Sequence, residues 1–120
     1  MAEKFEFNPE DAAFRAELIG NLKIDVQSYE SKRLLESWAI KGEQLVESGA
    51  IDTFQWHQES ADMYREAGLI EGAIWVLKQA AVEARQLGRE DLSKEFQRQL
   101  VDLGADPDDL NDIYDFHGGP

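Results

Sequence analysis

Four glycines, Gly49, Gly68, Gly88 and Gly104, follow four successive amphipathic stretches at spacings of 19, 20 and 16 residues. A glycine just past the last apolar residue is the usual left-handed stop of a helix. Few residues separate each stop from the next start, and short connections force consecutive helices to lie antiparallel. Strand signals are nearly absent. The chain therefore predicts an all-α fold of antiparallel helical hairpins, arranged as an array or a small bundle, with five main helices and a short acidic sixth.

The starts are as legible as the stops. In Asn8-Pro9-Glu10-Asp11 the asparagine can cap, the proline fits the first helical position and the acids suit the positive end of the dipole. Ala13, Phe14, Leu18, Leu22 and Val26 give that helix its buried side. Gly20-Asn21 weakens its middle, so a break is expected there, with LKIDV as an irregular connection. The second helix is expected over 31–48, with Leu35, Trp38, Gly42 and Leu45 as its stripe. Asp52 or Thr53 starts the third, which carries one stripe of Phe54, His57, Ala61 and Tyr64 and another of Trp56, Met63 and Ala67. In the fourth, Ile70, Ala73, Ile74, Leu77, Ala80, Ala81, Ala84 and Leu87 recur at helical spacing. So many alanines let a neighbouring backbone come close, which suits a helix in the middle of a stack. Asp91 is placed to start the fifth, with Leu92, Phe96, Leu100 and Leu103 facing inward.

Ala61, Tyr64, Ala67-Gly68, Ala73, Leu77 and Ala80 resemble the small, tyrosine, glycine, alanine and large-apolar positions of a tetratricopeptide repeat. The likeness covers about one repeat of 34 residues, and His57, Ser60 and Arg85 stand where the pattern has tryptophan, leucine and proline. The resemblance implies a helical-hairpin scaffold that binds other proteins, with no catalytic residue. It also implies that the first helix of the pair lines a concave side, so Gln55, Gln58, Asp62, Arg65 and Glu66 would face a bound peptide. The lysine and asparagine arrangement that grips a peptide carboxylate in some family members is absent.

Length and charge bound what such a scaffold can bind. With 120 residues the chain makes one domain, laid out as a flexible lead-in over 1–8, a helical domain over 9–104 and an acidic tail over 105–120. There is no cysteine, so a reducing, cytoplasmic setting is expected. The first residues carry acids where a signal peptide needs a basic start, and no apolar run approaches the roughly 20 residues needed to span a bilayer. The net charge of −13 works against binding nucleic-acid backbones or anionic membranes. The tail holds five aspartates and no base. Asp108, Asp109, Asp112 and Asp115 are expected in solvent, or as a motif offered to another protein, while Leu110, Ile113 and Tyr114 dock.

A search for chemistry finds no convergent set. His57 lies on a packed stripe with no second histidine or carboxylate one turn away, and His117 sits in a Gly-rich end. Asp106, Asp108 and Asp112 lack the central glycine and closing glutamate of a calcium loop. No enzyme activity, cofactor or metal is expected. Trp56 and Trp75 stand off the main stripes, and each is either a contact between adjacent helices or an exposed interface anchor. Trp75 shares its helix face with Lys78, Val82, Arg85 and Arg89, a basic run in an acidic protein. The expected function is a non-catalytic protein-interaction module: an adaptor, chaperone or regulatory subunit. The alternative is an acidic inhibitor that mimics nucleic-acid phosphates to block a basic partner. The partner's identity and self-association stay open at this point.

Overall fold

The computed structural model describes residues 5–105. Among these it contains five helices and no strand: α1 (Pro9–Ile24), α2 (Tyr29–Glu47), α3 (Thr53–Glu66), α4 (Ile70–Gln86) and α5 (Glu90–Asp102). The acidic tail, with Asp108, Asp109, Asp112 and Asp115, lies outside the described residues. The protein is a small all-helical bundle of packed neighbours.

The ends follow the local chemistry. Asn8 Oδ1 accepts from the Asp11 amide at 2.8 Å, with Pro9 in the first turn. Gly49, Gly68, Gly88 and Gly104 have φ of 82°, 80°, 75° and 78°, the left-handed geometry that closes a helix without a Cβ clash. Asp52 and Gln55 form a capping box. The Gln55 amide donates to Asp52 Oδ1 and the Asp52 amide to Gln55 Oε1, both at 2.8 Å. Asp52→Ala removes that acceptor and is expected to destabilise the protein by about 1 kcal/mol in urea unfolding, and Asp52→Ser by much less.

α1 does not break at Gly20-Asn21. It runs to Ile24, and only Asp25 to Ser28 connect it to α2. Gly20 faces solvent with nothing near it. Its propensity penalty of about 1 kcal/mol is outweighed by Leu18 and Leu22, which bury on either side of it. Asn21 adds a bond from its amide group to the Glu17 carbonyl at 2.8 Å. Ala13 is exposed rather than buried, because the inward face of α1 follows Leu18 and Leu22. On α2 the buried line is Ser31, Leu34, Trp38 and Gly42, with Leu35 and Leu45 half-buried at its edge. Ser31 turns that line: its hydroxyl donates to the Asp25 carbonyl at 2.7 Å and fixes the start of α2 against the connection.

Two apolar clusters share α3. One gathers Leu18, Leu22, Leu34, Trp38, Met63 and Ala67 from α1, α2 and the end of α3. The other gathers Ala61, Val76, Leu77, Ala80, Ala81, Phe96 and Leu100 from α3, α4 and α5. Tyr64 packs against both, and burial pushes its phenol pKa up. α4 lies between α3 and α5, as its alanines predict. Its stripe is corrected at three points. Val76 joins the core, while Ile70 and Leu87 are 40% and 65% exposed, because they stand at the ends of α4 where its neighbours no longer cover it.

Candidate protein-binding groove

In the segment before α1, Phe5 and Phe7 are half-buried and Glu6 is exposed. Phe7 sets its ring 5.7 Å from that of Trp38 and 6.5 Å from that of Trp56. This holds the segment against α2 and α3, and a concavity is lined by it, α1 and α3. The groove has a volume of about 870 Å³. It is lined by Phe5, Glu6 and Phe7 of the segment, Ala12 and Arg15 of α1, Glu59, Asp62, Arg65 and Glu66 of α3, and by Ile70 and Leu103. A second cleft of about 410 Å³, bounded by Gln58, Arg65, Arg98, Gln99 and Asp102, runs between α3 and α5. Arg65 and Leu103 belong to both, so the two depressions adjoin across one face of α1, α3 and α5.

Charge in the groove is mixed and paired. Arg15 of α1 donates to the Glu66 carboxylate of α3, and that bond holds the Glu66 pKa below the usual carboxylate range. Arg65 Nη1 lies 3.6 Å from Asp62 Oδ1, which also accepts from Gln58 Nε2 at 3.1 Å. Gln58 and Gln99 exchange amide hydrogen bonds at 2.9 and 2.8 Å, which ties α3 to α5 along the second cleft.

The residues expected to face a bound peptide separate into two sets. Asp62, Arg65 and Glu66 line the groove, and Gln58 lines the cleft. The Gln55 side chain is engaged at the α3 cap. Trp56 is half-buried between α2 and α3, its ring 4.6 Å from that of Trp38 and against Gly42. Trp38 in turn donates from Nε1 to Ser60 Oγ at 3.1 Å. The second tryptophan candidate differs: Trp75 is 64% exposed and stands apart from the groove. Arg89 does not share the Trp75 face, because α4 ends at Gln86 and Arg89 stands at the N-cap of α5 beyond Gly88. Arg85 Nε is 3.8 Å from Glu90 and Arg89 Nε is 3.7 Å from Asp91. Lys78 is half-buried and engaged by a neighbour. Arg85 and Arg89 thus meet local acids.

Sequence spacing missed Phe5, Ala12, Arg15, Glu59 and Leu103 as groove residues. No local spacing could have gathered them, since Arg15 and its partner Glu66 are 51 positions apart. It also missed the partner of His57, whose Nε2 lies 3.1 Å from Glu83 Oε2. The carboxylate comes from α4, so a search one turn along α3 does not find it. Among the described residues no group of histidine, aspartate and glutamate is arranged to hold a metal ion, and no helix is long and apolar enough to cross a membrane. Comparison with protein-family models, with curated proteins and with solved structures gives no match.

Proposed function

We propose that this protein is a non-catalytic interaction module of tetratricopeptide-like helical hairpins, binding a partner segment across the α1–α3–α5 face. The observation that carries the reading is the groove of about 870 Å³, which gathers three of the five side chains expected to face a peptide. The hairpin itself supports it. Ala61, Ala73, Leu77 and Ala80 are each 0% exposed, Ala67 is 5% exposed, and the turn glycine Gly68 is left-handed. A pocket of this size, part apolar and part polar, suits a side-chain anchor with a few fixed polar partners. The phosphate-mimic reading needs acids across one continuous face. The described acids are instead interleaved with bases, as in Arg33–Glu30, Lys41–Asp11 and Arg98 with Glu95 and Asp102.

Peptides selected on the immobilised chain from a random display library provide the test. Ala12→Trp fills the groove from the exposed side of α1 and is expected to weaken the selected peptides by about tenfold or more, roughly 1.4 kcal/mol. Trp75→Ala is expected to leave them within about twofold. The opposite result, with Ala12→Trp silent and Trp75→Ala damaging, would move the binding surface to the outer side of α4.

A further inference from the structure

We propose that the groove takes a basic amphipathic segment of a partner protein: a lysine or arginine flanked by apolar side chains. This rests on the reading of the groove as the binding surface. Four carboxylates line it, Glu6, Glu59, Asp62 and Glu66, against two guanidiniums, Arg15 and Arg65. Both guanidiniums are already engaged inside it, by Glu66 and Asp62. An entering anion would have to displace one of these pairs, whereas an entering cation adds to them. The surrounding chain, at −13 overall, reinforces that sign, and a concave site focuses the field.

The apolar lining selects against a bare cation. It consists of Phe5, Phe7, Ala12, Ile70 and Leu103. A small polyamine or metal ion leaves these surfaces wet, while a peptide can cover them and place an ammonium or guanidinium group among the carboxylates. The long stem of lysine or arginine suits such a path, since its methylenes lie along apolar surface while its head stays polar. Nucleic acid meets the wrong sign of charge throughout.

The test uses three fluorescein-labelled peptides of Leu, Ala and Lys, with Lys kept, changed to Gln, or changed to Glu. Binding to the full chain is read by anisotropy at low and moderate salt. The lysine peptide is expected to bind at least about tenfold more tightly than the Gln peptide, with the difference shrinking as salt rises. Glu59→Lys and Glu6→Lys are expected to erase that preference. Glu6 stands outside any helix, so its reversal leaves the helical packing in place. Glu43→Lys, on the exposed side of α2, changes net charge equally and should leave the preference intact. Equal weakening by all three substitutions would overturn the inference, because net charge alone would then be read. A Gln peptide that binds as well as the Lys peptide, yet is lost with Ala12→Trp, would overturn the basic partner and retain the groove. If no binding responds to Ala12→Trp, both fall.

Discussion

Leu77→Ala is expected to remove about 2–5 kcal/mol of stability in urea unfolding, a large share of the roughly 5–15 kcal/mol that holds a native protein folded. Leu77 is 0% exposed in the cluster formed by Ala61, Val76, Ala80, Ala81, Phe96 and Leu100. The loss should fall in the upper part of that range because the site cannot collapse. Three of those six neighbours are alanines, whose Cβ positions are set by their own backbones, and the helices they hold are already at close approach. A cavity walled by such groups stays open, and the cost of a core truncation grows with the void left behind. A loss below about 1 kcal/mol would show that α3, α4 and α5 slide together and that the packing is more plastic than its small side chains imply.

Gly42→Ala is expected to destabilise by about 1–3 kcal/mol, against its local tendency. In a helix interior alanine is better than glycine by about 0.8–1.0 kcal/mol, so propensity alone has the opposite sign. Position 42 is covered by the Trp56 indole, and a Cβ there would lie 1.9 Å from Trp56 Cε2. The indole is flanked by Trp38, tilted at 4.6 Å, and by Phe7, edge-on at 6.5 Å, so making room for a methyl is expected to open the contact between α2 and α3. Near-ultraviolet circular dichroism reads the tryptophan pair directly, and its signal should shrink together with stability. A more stable variant with an unchanged aromatic spectrum would place the indole elsewhere.

The boundaries were legible in the sequence where they depend on neighbouring residues. Asn8-Pro9 and the four turn glycines act within their own turn, so four residues suffice to read them. The alanine stripe of α4 announced a helix with neighbours on two sides. Legibility failed where distant contacts decide. Leu18 and Leu22 carry α1 through Gly20 because α2 and α3 cover them. The spacing of Trp56 allows a helix contact or an exposed anchor, and only Gly42 beneath it decides for the contact. The same limit applied to the groove: Asp62, Arg65 and Glu66 were readable as one helical face, but its lining also takes in Phe5, Phe7 and Ala12, whose approach no local pattern encodes.

The sharing of α3 by two clusters has a thermodynamic consequence. The α3–α4–α5 half is built on alanines and close approach, whereas α1 and α2 meet α3 through Leu18, Leu22, Leu34, Trp38 and Met63. Two clusters that meet only at α3 allow one end of the fold to open before the other. The Arg15–Glu66 pair and the groove above it bridge α1 to α3, across the joint that such opening would use. A ligand seated there would brace that joint, so part of its binding free energy would appear as resistance to unfolding of α1 and α2. The groove would act as a clamp on the fold, and occupancy would determine how far the N-terminal half behaves as one body with the rest.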